Sequence, residues 1–184
     1  MTNVASAIGS PDDSARTYSF KKTNPASGAN NVVVNLSGTS AGSCVVSAIS
    51  FTGVDQTDCV EADATNIGTN DSPTVNITTI NNNALVVDGV TARRQTAGAT
   101  AGGGQTERLD TLFTYPSFSG SALVSTEPKA TAGSVTMSWS ISQGQNWAIV
   151  AIAMKKGIII TPITVQKSLK YTIKTTKDAI TKSL

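Results

Sequence analysis

The sequence predicts an all-β protein: an antiparallel, jelly-roll-like β-sandwich followed by an extended C-terminal β-strand tail. Three observations point to this fold class. No segment shows helical periodicity, and the apolar runs are short and rich in Val, Ile and Thr, as strands are. Glycine, asparagine, proline and aspartate separate these runs. The spacing of about ten residues between runs is typical of sandwiches and jelly rolls.

Nine segments carry this strand pattern. They are residues 17–22, 32–36, 44–51, 74–80, 84–90, 108–115, 122–126, 134–141 and 147–154. Apolar and hydroxyl side chains alternate in the eighth segment, which predicts one buried face. The ninth is apolar throughout, which predicts a central strand covered on both faces. Trp139 and Trp147 lie in these two segments, so we expect both in the core.

The last thirty residues differ from the rest in charge. Residues 1–154 hold seven Lys and Arg against eleven Asp and Glu, a net charge of about −4, whereas residues 155–184 hold seven Lys against one Asp, about +6. Within residues 163–173 the apolar residues fall on odd positions with polar residues between them, the period of a half-buried strand, and only Lys167 breaks the apolar face. We call this segment the predicted assembly strand; its apolar face is formed by Ile163, Val165, Leu169, Tyr171 and Ile173.

These contrasts divide the chain into an N-terminal extension (residues 1–16), a β-sandwich domain (17–155) and a basic linker or donor-strand segment (156–184). A domain of this length can bury a sizeable core. The tripeptide Lys-Ser-Leu at 167–169 returns at 182–184. We therefore expect the sequence to come from a longer chain or to end within a repeat.

Two groups of side chains are candidate structural sites. Cys44 and Cys59 are fifteen residues apart and outside any CxxC motif, so either a disulfide or two buried free thiols fits the sequence. The acids Asp55, Asp58, Glu61 and Asp63 share one predicted loop. Oxygen ligands in a flexible loop suit calcium, although the spacing is not that of an EF-hand and a hydrated acidic loop is the alternative. No other cofactor is predicted.

Catalytic patterns are lacking. The chain has no histidine, which removes Ser-His-Asp and Cys-His nucleophiles and His-ligated zinc. Carboxylates alone can hydrolyse a glycoside, but the nearest acid pair, Glu107 and Asp110, matches no strand motif for that chemistry. Arg93, Arg94 and the tail lysines lack the aromatic-rich face of a nucleic-acid binder. We expect neither an enzyme nor a nucleic-acid-binding protein.

Composition favours an extracellular protein. Charged residues are only 14 % of the chain and aromatic residues 5 %, while Ser, Thr, Asn and Gly are abundant. No apolar stretch is long enough to span a membrane, and residues 1–4 do not open a signal peptide. An extracellular or cell-surface location is therefore expected, with a virion as the alternative.

Several short motifs in order carry a resemblance. Residues 24–28, 31–36, 48–57, 83–90 and 137–139 resemble segments of a concanavalin-like jelly-roll module found in bacterial and archaeal surface proteins and in phage structural proteins. The likeness covers about residues 16–155. It implies one or two further strands before Tyr18, where this chain offers only a polar segment broken by glycine and proline. We therefore expect a sandwich that is a strand short and has an open edge.

Together these features predict a non-enzymatic structural subunit, or polyprotein repeat, of a fibre or surface scaffold. Its C-terminal strand would add to the sandwich of a neighbouring copy, head to tail. One alternative is a phage tail-fibre or decoration protein. Another is a carbohydrate-binding module with a surface glycan as partner, for which Tyr115 and Phe118 are the candidate exposed aromatic residues.

Overall fold

The computed structural model describes residues 1–9, 15–35, 44–115, 118–165, 169–171 and 180–183; residues 115 and 118 and those after 157 are described by their backbone. Regular structure in these ranges is entirely β. No helix long and apolar enough to cross a membrane occurs among these residues. The predicted all-β fold is confirmed.

The described residues form sixteen strands. They are β1 (Thr2–Ile8), β2 (Arg16–Lys21), β3 (Asn31–Val34), β4 (Cys44–Val46), β5 (Ile49–Val54), β6 (Val60–Gly68), β7 (Thr74–Thr79), β8 (Ala84–Arg93), β9 (Thr100–Ala101), β10 (Thr106–Tyr115), β11 (Phe118–Lys129), β12 (Gly133–Ser140), β13 (Trp147–Met154), β14 (Lys156–Val165), β15 (Leu169–Tyr171) and β16 (Ile180–Ser183).

Two antiparallel sheets form the sandwich. The larger sheet has the strand order β10-β11-β8-β13-β6, and the smaller has the order β7-β12-β9. Buried side chains of both sheets meet between them. This core contains Val75, Ile77, Val86, Val90, Ala92, Leu123, Val135, Met137, Trp139, Ile141, Trp147, Ile149, Ala151 and Ala153. The predicted antiparallel β-sandwich is confirmed, and both tryptophans lie in its core at 2 % exposure.

Strand β13 is buried on both faces, as its continuous apolar sequence predicts. Its odd-numbered residues, such as Ile149 and Ala151, point into the core between the two sheets. Its even-numbered residues Ala148 and Val150 pack against Ala5 and other small residues near the N-terminus. The two-stranded sheet of β1 and β2 therefore forms a third layer over the outer face of the large sheet.

The N-terminal segment differs from expectation because residues 2–8 form a strand. Strand β1 pairs antiparallel with β2, and Ala5 and Ala7 are buried against β13. The expectation that this segment adds no strand was wrong. Small alanine side chains let β1 approach the large sheet closely, but they give too weak an apolar alternation for a sequence-based prediction.

The C-terminal strands lie outside both sheets of the sandwich. Strand β14 pairs antiparallel with β5, β15 with β4, and β16 with β3. We call β3, β4 and β5 the acceptor strands, and the three strand pairs that they form with the tail the ribbon. Among the described strands, the acceptor strands pair with the tail alone.

Candidate functional site

The predicted assembly strand is placed on the acceptor strands of its own chain. Val165 lies opposite Ile49, Leu169 opposite Val46, and Tyr171 opposite Cys44. Ile163 lies on β14 at a shift of register between Pro162 and Thr164, and Ile173 lies outside the described residues. The tail is thus an added strand in this structure, with an acceptor that the sequence alone did not identify.

The tail departs from the sandwich at a fixed point. The Asp55 amide donates to the carbonyl of Lys155 at 3.1 Å, and the Lys155 amide donates to the carbonyl of Cys59 at 2.9 Å. The Lys155 Nζ atom also lies 3.4 Å from Asp55 Oδ2. These contacts hold residue 155 on the loop that follows β5, so residues beyond it start from a defined position.

Asp55 and Asp58, two of the proposed calcium ligands, are engaged by protein groups. Asp55 Oδ1 accepts hydrogen bonds from the amides of Thr57 at 2.8 Å and Asp58 at 3.0 Å. These two bonds, together with Lys155, lower the pKa of Asp55 despite some desolvation. The Asp58 carboxylate lies 3.5 Å from Lys21 Nζ. The carboxylate of Asp55 therefore organises the loop and the start of the tail.

Glu61 and Asp63 are not in the predicted loop, because both lie on β6. Glu61 accepts hydrogen bonds from the Ile80 amide at 2.9 Å and from Asn81 Nδ2 at 2.6 Å, while Asp63 is exposed. The prediction of one acidic loop was wrong for these two residues. No group of three or more acidic, cysteine or histidine residues that could hold a metal occurs within the described ranges. Calcium binding stays a prediction.

The two cysteines are free thiols, both half-buried. Cys44 lies on β4, and Cys59 precedes β6. Of the two alternatives left open by the sequence, the structure has the free thiols. Burial raises the pKa of the Cys44 thiol, which keeps it in the weakly nucleophilic protonated form near neutral pH.

A buried carboxylate at the centre of the sandwich escaped sequence reasoning. Asp88 on β8 is 2 % exposed and faces the core. Its Oδ1 accepts hydrogen bonds from the amide of Ser125 at 2.7 Å and from its hydroxyl at 2.8 Å. Its Oδ2 accepts from Trp139 Nε1 at 2.8 Å. The side chain thereby joins the large sheet to β12 of the small sheet.

Further polar contacts extend this network toward the surface. Gln105 donates from Nε2 to the Ser125 hydroxyl at 2.7 Å, and its Oε1 accepts from the Ser138 amide at 2.8 Å. Burial raises the pKa of Asp88 to about 6, with the hydrogen bonds from Ser125 and Trp139 acting in the opposite direction. Both carboxylate oxygens already accept hydrogen bonds from protein donors, which gives Asp88 a structural role between the sheets.

The acid pair Glu107 and Asp110 shares one face of β10 because of a β-bulge between Glu107 and Leu109. Glu107 lies opposite Ser125, and Asp110 lies opposite Leu123. Ser125 and Leu123 are two positions apart on β11, so they lie on one face, and their partners on β10 do too. Glu107 is exposed, whereas Asp110 Oδ2 accepts a hydrogen bond from the Ala99 amide at 2.8 Å. The two carboxylates thus have different surroundings, and one of them orders the loop before β9.

Exposed aromatic residues occur on the outer face of β2. Tyr18 is 48 % exposed and Phe20 is 56 % exposed, and the strand periodicity puts both on the same face. The side chains of Tyr115 and Phe118, the predicted exposed pair, lie outside the described part of the structure. Aromatic faces of this kind can stack against sugars, and glycan binding stays a prediction.

Comparison with known proteins gives no family. The chain shows no significant match to protein-family models, to curated proteins or to solved structures. The resemblance to concanavalin-like modules is therefore carried by the motifs in the sequence alone.

Proposed function

We propose that the protein is an extracellular structural subunit, or a polyprotein repeat, of a fibre or surface scaffold that assembles through its C-terminal strand. One observation carries the proposal: after Lys155 the chain leaves the sandwich and forms strands that pair with β5, β4 and β3, outside both sheets of the core. An extended segment that adds to a strand of another module is a recurrent mode of protein assembly.

The two apolar core clusters of the described side chains lie in the segment before the tail, which supports a separate role for the tail. Among the side chains that the structure describes, both apolar core clusters consist of residues up to Ala153. The large sheet ends its own pairing at Met154, which lies opposite Leu85 and Val60. In this proposal the tail, which begins after the last strand of the large sheet, serves an intermolecular contact.

Strand addition supplies both affinity and specificity. Main-chain hydrogen bonds give a sequence-independent ladder, and alternate side chains give selectivity. Burial of the five apolar side chains of the predicted assembly strand provides on the order of 5–10 kcal/mol before the cost of ordering the tail. The tail charge of about +6 against about −4 for the body also favours contact between copies.

Removal of the tail is expected to abolish assembly. We expect filaments from the full chain and monomers from a chain truncated after Lys156, compared by electron microscopy and size-exclusion chromatography at equal concentration. Circular dichroism of the truncated chain provides the control, because an intact core predicts a β-sheet spectrum and cooperative unfolding. Identical monomers from both chains would contradict the fibre, and stacking of a glycan on Tyr18 and Phe20 would then be the function to test.

A further inference from the structure

The ribbon formed by the tail and the acceptor strands is incomplete as a sheet. It consists of three separate strand pairs, β14 with β5, β15 with β4 and β16 with β3. Within the described ranges, none of these pairs has a third strand. A pair of strands without further partners is marginally stable in water. Both strands of such a pair are edge strands, and edge strands are the places where another chain can pair. Such a ribbon gains stability when it is held in a larger assembly.

The acceptor strands lack the usual protection against pairing with another chain. Edge strands are commonly guarded by charged residues or proline, yet residues 31–54 contain no Asp, Glu, Lys, Arg or Pro. They are instead rich in β-branched residues, and Val33 is 46 % exposed. The sequence of this segment therefore favours strand addition, and it has no charged residue or proline that would oppose pairing with another copy.

The tail has slack at the point where it meets the acceptor strands. Lys156 lies opposite Val54, but the next paired position is Thr161 opposite Thr52, so the tail advances five residues while β5 advances two. Gly157 lies against Gly53, where a Cβ atom would come within 2.8 Å of the Gly53 carbonyl oxygen. We call residues 157–160 the hinge; they follow Lys156, and the preceding residue, Lys155, is hydrogen-bonded to the backbone of Asp55 and Cys59.

On the basis of the proposed function, we infer that the tail in the assembly pairs with the acceptor strands β3, β4 and β5 of a second copy, reached by opening of the hinge. The same backbone ladder then forms between chains as within one chain, which is the low-cost route of strand exchange. Donor and acceptor are different surfaces, so each copy accepts one tail and donates another. Such a contact need not close, and where it does not close it propagates as a filament.

Concentration decides between the two arrangements. Within one chain the tail meets the acceptor strands at a high effective concentration, which favours the closed monomer in dilute solution. At high protein concentration, or in a chain of fused copies, pairing of the tail with another copy competes with pairing within one copy. The hinge, with three more residues than its partner strand needs, gives the tail the length to reach another copy.

A disulfide between paired positions tests the acceptor directly. Cys44 lies opposite Tyr171, and directly opposite residues in an antiparallel pair have Cα atoms about 4.5–5.5 Å apart, within the range of a disulfide. We would oxidise assembled Cys59→Ser/Tyr171→Cys protein with glutathione disulfide at a pH above the ordinary thiol pKa of 9.0, because burial raises the pKa of the Cys44 thiol. The matched control is Cys59→Ser/Lys170→Cys, whose new thiol lies opposite Val45 and on the other face.

The inference predicts a ladder of covalent multimers on a non-reducing gel from the Tyr171→Cys protein, lost on reduction and absent from the Lys170→Cys control. A covalent monomer alone would overturn it, since the pairing would then be closed within one chain. Filaments that depend on the tail but form no disulfide would place the acceptor elsewhere, and would leave the proposed function standing. Absence of filaments in the wild-type protein would instead contradict the proposed function itself.

Discussion

Replacement of Trp147 by alanine is expected to lower the free energy of unfolding by about 3–5 kcal/mol, the range for deleting a large buried aromatic side chain. Trp147 is 2 % exposed and belongs to the core between the two sheets. Its ring lies against Gly68, where a Cβ atom would come within 2.3 Å of the indole. Its Nε1 atom donates to the Asn70 carbonyl at 3.1 Å and to Asn70 Oδ1 at 3.0 Å.

Chemical denaturation followed by circular dichroism measures this effect, with Trp147→Phe as the matched control. The phenylalanine variant keeps an aromatic ring over Gly68 and loses the hydrogen bonds to Asn70, so we expect a smaller loss than for alanine. Equal stability of the alanine variant and the wild type would contradict the packing of β13 against β6. A Gly68→Ala variant is expected to be destabilised as well, because the indole occupies the space of the new methyl group.

Asp88 is expected to make the sandwich less stable at pH 7 than at pH 4. Its pKa is raised from 3.8 to about 6 in the folded protein. Its contribution is therefore fully present below the unfolded pKa and is lost as the pH rises through the folded pKa. Because one pKa unit corresponds to about 1.4 kcal/mol, the loss is on the order of 3 kcal/mol, and it falls between about pH 4 and pH 6.

Denaturation of wild type and Asp88→Asn across pH 4 to 7.5 isolates this contribution. The variant cannot titrate, and its amide nitrogen faces a donor from Ser125 or Trp139, so we expect it to be less stable than wild type at pH 4. The difference should shrink by about 3 kcal/mol by pH 7. Glu127, whose pKa burial also raises, is checked with Glu127→Gln. A difference between Asp88→Asn and wild type that does not change with pH would contradict the account.

The strands that the sequence predicted and those it missed differ in their inward side chains. β12 and β13 present large apolar residues such as Met137 and Ile149 to the core, so their periodicity is strong. β1 and β6 present alanines instead, Ala5 and Ala7 in one and Ala62 and Ala64 in the other. Small side chains allow close approach of layers but contribute little apolar signal. β9 spans only two residues in a glycine-rich stretch.

Part of the candidate site could be predicted from the sequence. The strand character of the tail follows from its alternation, but its partner depends on pairing across more than a hundred residues, which no local pattern encodes. The uncharged stretch of residues 31–54 is the signal that could have indicated an acceptor. For Asp88, the signal is an acid at the same parity as Val86 and Val90 in an apolar strand, which predicts a buried carboxylate with partners.

Addition of the tail as a separate peptide tests the central claim most directly. A peptide of residues 157–184 is titrated into the chain truncated after Lys156, and amide hydrogen exchange is followed. We expect binding at one peptide per chain with new protection of amides in β3–β5, and weaker binding by a Leu169→Pro peptide, because proline removes a donor from the ladder. Equal behaviour of the two peptides, or protection confined to other strands, would contradict strand addition to β3–β5.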